Sequence, residues 1–192
     1  MNSTRADDKI LGFEYQFYYF LLEVLKLKDN EIVGFEVKDD VHIEGNKTLS
    51  LIQLKHTRQI NMDGNPKSLT TSDIDLWKTL SNWVDVINKE KNKKDFIINT
   101  SFIFVTNKGE SEKHIFFNAL EKFKTDDNLQ EFKNMILRYK DGLDTENANK
   151  SYIINLLSLS DKLLKSFILK LEFVFNLNNI IEVQNILLYQ KV

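Results

Sequence analysis

The sequence predicts an α/β fold: a small mixed β-sheet flanked by helices, with a mainly helical C-terminal part. Three observations carry that prediction. Residues 5–28 hold apolar side chains at helical spacing, residues 32–57 switch to an alternation of two around a Gly45-Asn46 turn, and a compact apolar stretch at 100–107 follows a second amphipathic helical segment.

In chain order, Ile10, Phe13, Phe17, Phe20, Leu21, Val24 and Leu27 form the stripe of a long first helix that ends in basic residues. From Ile32 onward, Val33, Phe35, Val37, Val41 and Ile43 alternate with Glu36, Lys38, Asp40, His42 and Glu44. This predicts one long strand, or two with a bulge at Lys38-Asp39. Gly45-Asn46 is a hairpin dipeptide, "TLSLIQLKHT" is the returning strand, and residues 58–69 with Gly64 and Pro66 form a loop. A second helix begins at Thr/Ser capping candidates, runs through Ile74, Trp77, Leu80, Val84 and Ile87, and ends in the basic run "NKEKNKK". "TSFIFVTN" is a buried strand. Helical segments near 111–123, 127–140 and 151–157 follow, then "DKLLKSFILKL" behind Ser158 or Ser160, a strand "EFVFN" and a last helix from about 178. No internal repeat interrupts this order.

Composition narrows the function classes. The 192 residues carry 42% apolar and 11% aromatic side chains, enough for a core. With 26 basic against 28 acidic side chains the net charge is −2, so any contact with nucleic acid has to come from a local patch. There is no cysteine and there are three histidines, which excludes a disulfide framework or thiolate metal site and argues against structural zinc. The start "MNSTRADDK" has neither the basic region nor the apolar core of a signal peptide, and no apolar run is long enough to cross a bilayer; a cytoplasmic protein is expected.

The hairpin register decides which polar groups meet. With a two-residue turn at Gly45-Asn46, Glu44 faces Lys47 and Gln53 is the diagonal neighbour of Asp40. A four-residue loop keeps the same faces and sets Asp40 opposite Gln53. In either case Val41, Ile43, Ile52 and Leu54 share one face, while Asp40, Gln53, Lys55, Glu36 and His42 share the other. A carboxylate, an amide oxygen and the Leu54 carbonyl suit a hard cation such as Mg²⁺, and Lys55 beside them suits an attacking water. The constellation reads as phosphodiester hydrolysis. The competing reading is a solvated strand face, on which such alternation is ordinary.

These residues carry a resemblance. Asp40 followed by "QLK" on the next strand of a hairpin, after a long helix and before another helix and strand, resembles the PD-(D/E)XK nuclease superfamily in the variant where Gln replaces the acid. "GFEYQ", "FEVKDDVHIE", "IQLKHT" and "DLWKTLSNW" look like the double-stranded DNA endonuclease domain of bacterial antiphage effectors, both SAVED-linked CBASS endonucleases and antiviral STAND NTPases. The likeness covers roughly the first 110 residues. It implies a restriction-endonuclease-like core over 1–110 and a helical elaboration over 111–192, in one nuclease domain that would be part of a longer protein or a stand-alone subunit. Asp40, Gln53 and Lys55 would be the catalytic trio. Asp40 and Gln53, with Glu14 (or its neighbour Gln16) and Glu36 as additional candidates, would hold Mg²⁺, with Mn²⁺ as a substitute. His56 and Arg58 would contact nucleic acid. The implied partners are double-stranded DNA, a second copy of the chain in a homo-oligomer, and a sensor or STAND ATPase module.

Other features read more plainly. Trp77 and Trp83 fit helix packing, His42 an exposed strand position, His114 a helix cap, and "NKEKNKK" a solvated helix end. Two alternatives stay open: a catalytically silent DNA-binding or assembly module of the same fold, and an α+β interaction protein without a nucleic-acid role.

Overall fold

The structure, a computed structural model, describes residues 3–62, 64 and 66–177. The helix expected from about 178 lies outside the described residues. The protein is mixed α/β, and the chain divides into two compact units that interleave along the sequence.

The first unit takes the described residues within Met1–Lys67, Thr100–Gly109 and Glu172–Val192. It contains helix α1 (Ser3–Lys26) and a five-stranded sheet in the order β1 (Ile32–Phe35), β2 (Val41–Glu44), β3 (Leu49–Lys55), β4 (Thr100–Thr106) and β5 (Leu171–Val174). β1–β2 and β2–β3 are antiparallel, whereas β3 and β4 are parallel from Leu49↔Thr100 to Lys55↔Thr106, so the sheet is mixed. Tyr15 and Tyr19 of α1 pack on Val41, Ile52, Leu54 and Val105, the apolar face predicted for the hairpin.

Two expectations need correction here. The stretch 32–44 is neither one strand nor a bulged pair. The chain reverses over Glu36–Asp40, the Glu36 N–H donates to the Asp40 carbonyl at 3.0 Å, and Phe35 pairs with Val41. Glu36 takes the left-handed conformation (φ 54°), unusual for a residue other than Gly or Asn. The alternation runs unbroken through this turn because Val37 is apolar, yet Val37 is 75% exposed. The stripe on α1 is also rotated. Its seated face is Tyr15, Tyr19 and Leu22, while Ile10, Phe13, Phe17 and Val24 are exposed. Tyrosine wins the buried side because its hydroxyl finds a partner: Tyr15 donates to the Leu177 carbonyl at 3.0 Å. Phe13 and Phe17 meet the edge of Phe35, at 5.2 and 6.0 Å between ring centroids.

The second unit comprises Ser68–Asn99 and Glu110–Leu171. It holds α2 (Ile74–Lys89), α3 (Lys93–Ile98), α4 (Ile115–Asp126), α5 (Leu129–Asp141), α6 (Ala148–Leu157) and α7 (Asp161–Ile168). α2 is capped by Asp73 rather than by the Thr or Ser before it, and the basic run after α2 leads into α3, capped by Asn92. Trp77 and Trp83 are buried, and Trp77 stacks on Tyr139; both indole Nε1–H of Trp77 and the Tyr139 hydroxyl donate to the Thr71 carbonyl. They are packing residues, and no base can stack on them. Among the described residues no helix is long and apolar enough to cross a membrane.

Candidate active site at the start of strand β2

The four residues Gly45–Thr48 connect β2 to β3, with the Gly45 N–H bonded to the Thr48 carbonyl at 2.9 Å. Glu44 pairs with Leu49, not Lys47, and Val41 with Ile52. Extending that register sets Asp40 opposite Gln53. The two side chains meet: the Gln53 amide donates to Oδ2 of Asp40, and the Leu54 backbone N–H donates to the same oxygen at 2.8 Å. The Asp40 N–H is held in turn by Oδ1 of Asp39 at 2.9 Å.

Burial argues against a solvated strand face. Gln53 is 9% exposed, and Leu51, Phe102 and Phe104 are fully buried. The Gln53 amide in such surroundings needs partners, since a polar group buried without one costs about 1–3 kcal/mol, and Asp40 beside it is half-buried. The two find partners in each other, and Asp40 also in Leu54.

Two side-chain oxygens remain for a ligand. Among the described residues, Oδ1 of Asp40 and Oε1 of Gln53 accept no hydrogen bond. In a strand the N–H and C=O of one residue lie along the same edge, so the Leu54 carbonyl is directed to the Asp40 side. A carboxylate, an amide and a carbonyl oxygen are the donor set of a hard divalent cation. The set is lean in charge, and among the described residues no three His, Asp or Glu side chains cluster as a metal site.

Glu36 is the second carboxylate of the neighbourhood. It is exposed at the reversal, and partial desolvation and then the Asp40 carboxylate raise its pKa above the ordinary 4.5, against the lowering effect of Lys55. Lys55 closes β3 opposite Thr106, half-buried and without an ion pair among the described residues. Glu14 is exposed on α1, Gln16 half-buried, and neither bonds to Asp40, Gln53 or Lys55 among the described residues.

Beyond Lys55 the strand ends. The His56 ring lies against Tyr15 with centroids 5.1 Å apart, on the face opposite Lys55. Burial, then the Arg58 charge, lowers its pKa below 6.5. His56, Thr57, Arg58 and Gln59 line a small open depression of about 170 Å³.

His42 departs from expectation. It is 4% exposed, its Nε2 lies 3.1 Å from the Glu44 carboxylate, which Lys38 also reaches at 2.8 Å, and its ring covers Gly34. His114 occupies the cap position of α4 but makes no cap hydrogen bond and is fully buried. Sequence reasoning missed Asn107, whose side chain bonds both backbone groups of Thr57; only its place at the end of a strand hinted at it. Comparison with family models, with curated proteins and with solved structures gives no match.

Proposed function

We propose that the chain is a metal-dependent endonuclease of restriction-endonuclease-like fold that hydrolyses phosphodiester bonds of double-stranded DNA as the effector of a bacterial antiphage system. The observation that carries this reading is the meeting of Asp40 with Gln53 and the Leu54 N–H, two residues before Lys55 on the same strand. The order α1, β-hairpin, α2, β4, on which the PD-(D/E)XK resemblance rests, supports it as well.

Oδ1 of Asp40, Oε1 of Gln53 and the Leu54 carbonyl would hold Mg²⁺ or Mn²⁺, and Glu36, adjoining Asp40, supplies the negative charge that the neutral Gln53 does not. When bound, the ion lowers the pKa of a water and stabilises charge on the phosphate. Asp40, fixed by two donors on one oxygen, keeps the other oxygen oriented without side-chain reorganisation. Lys55 donates to the attacking water or to a non-bridging phosphate oxygen. His56 and Arg58 contact the DNA backbone, where Arg makes charge-assisted hydrogen bonds. Cutting both strands calls for two such sites, hence a homo-oligomer, with a sensor or STAND ATPase as the controlling module.

A second reading, a silent DNA-binding or assembly module, is favoured by one observation: the Gln53 amide already satisfies Asp40. Supercoiled plasmid separates the two. The endonuclease nicks it with Mg²⁺, stops with EDTA, and loses activity in Asp40→Ala and Lys55→Ala. Salt-sensitive binding that ignores Mg²⁺, with intact plasmid, selects the silent module.

A further inference from the structure

The ladder between β3 and β4 ends at Lys55↔Thr106, yet the backbone pairing is prolonged by a side chain. The Thr57 N–H donates to Oδ1 of Asn107, and Nδ2 of Asn107 donates to the Thr57 carbonyl, both at 2.8 Å. A carboxamide offers one acceptor and two donors, so it can stand in for a neighbouring strand's peptide group. Residues 50 apart in sequence are thereby locked together.

The segment after Thr57 is tied down in sequence. Oγ1 of Thr57 accepts the Gln59 N–H at 3.1 Å, forming a hydroxyl turn, and the Gln59 carbonyl accepts the Lys67 N–H at 2.9 Å. Thr57 and Gln59 are thus held at the backbone, the His56 ring rests against Tyr15, and Asn107 supplies the first of these restraints. Among the described residues the lining brings together a guanidinium, an imidazole, an amide and a hydroxyl. Such a donor-rich set suits an anion with several oxygen acceptors.

We propose that Asn107 is a positioning residue for a phosphate-binding depression formed by His56, Thr57, Arg58 and Gln59, and that the phosphate it takes belongs to the nucleic-acid backbone engaged beside Asp40 and Lys55. The second clause rests on the endonuclease reading; the first does not.

The test has two arms on the full chain. In the first, inorganic phosphate is titrated into isotope-labelled protein while the Arg58 side-chain N–H and the His56 ring resonances are followed. Wild type shows a saturable shift, and Asn107→Ala weakens it by about tenfold, roughly the loss of one positioned charge-assisted contact. Asn107→Ser, too short to span both Thr57 groups, serves if the alanine variant does not fold. No shift in wild type, or equal affinity in the variants, overturns the depression and the role of Asn107. In the second arm, plasmid nicking by Asn107→Ala and Arg58→Ala shows KM rising more than kcat falls, and the double variant is no worse than the poorer single one. Additive losses, or a fall confined to kcat, overturn the positioning role. A protein that binds phosphate through Asn107 but leaves DNA intact refutes the endonuclease reading while the positioning role stands, and if it also fails to bind DNA the nucleic-acid ligand is refuted as well.

Discussion

The backbone N–H of Leu54 donates to Oδ2 of Asp40 at 2.8 Å, across a register that pairs Val41 with Ile52. This bond fixes one carboxylate oxygen, and among the described residues the other accepts no hydrogen bond. The consequences are measurable.

Gln53→Glu sets a third carboxylate beside Asp40 and Glu36. Like charges that close destabilise one another, so the variant is expected to melt below wild type in EDTA. Added Mg²⁺ raises its melting temperature by more than it raises that of wild type, because binding to the folded state alone stabilises it. Differential scanning fluorimetry with and without Mg²⁺ checks this. An equal increment in both proteins argues against Gln53 as a ligand.

Glu36 gives a pH signature. Its pKa is raised in the folded protein, first by partial desolvation and then by Asp40. The folded state therefore binds more protons than the unfolded state, and this group's contribution falls as pH rises through 4.5 and above. Glu36→Gln is expected to be more stable than wild type at pH 7, with the advantage gone below the ordinary carboxylate pKa. Urea midpoints of both proteins at pH 7 and pH 4 decide it.

His114 acts in the opposite direction. Neither ring nitrogen makes a well-formed hydrogen bond among the described residues, the ring packs 4.2 Å from Phe117, and burial, opposed by Asp73 and by the Thr70 backbone, lowers the pKa from 6.5 to about 4. The neutral ring contributes stability that is complete above 6.5 and lost as pH falls towards 4. At about 1.4 kcal/mol per unit, the loss is on the order of 3 kcal/mol. His114→Phe is expected to remove that slope. Identical pH profiles for variant and wild type would contradict the buried neutral ring.

Gly34 sits beneath His42, where an added Cβ would lie 2.0 Å from the ring, and Glu44 holds that ring in place. Overpacking of this kind costs about 1–3 kcal/mol. Gly34→Ala should lower the urea midpoint accordingly, whereas Gly12→Ala, with open space around its Cβ, should not.

Much of this architecture is legible in the chain. Strongly periodic stretches such as 74–89 and the apolar run at 100–106 form the helix and strand that their spacing predicts. The faces of the second hairpin are legible too, since two- and four-residue loops share them, and the protein uses the four-residue form. The reversal at Glu36–Asp40 is not, because it contains no Gly, Pro or Asn and Val37 continues the alternation while pointing into solvent. Periodicity also misjudges α1, where burial follows hydrogen bonding by Tyr15 rather than the apolarity of Phe13 and Phe17. Asp40 meets Gln53 across the register that the hairpin faces predict, whereas Glu36 lies in the reversal rather than on a continuing strand. Asn107 could not be foreseen, since its partner is a backbone group 50 residues away.

The most direct test of the central claim is a crystal of the protein grown with Mn²⁺ and measured at the manganese absorption edge. The account predicts an anomalous peak about 2.0–2.2 Å from Oδ1 of Asp40, Oε1 of Gln53 and the Leu54 carbonyl, with water at the remaining positions. A well-ordered site with the Gln53 amide still bonded to Asp40 and no manganese between them would contradict it.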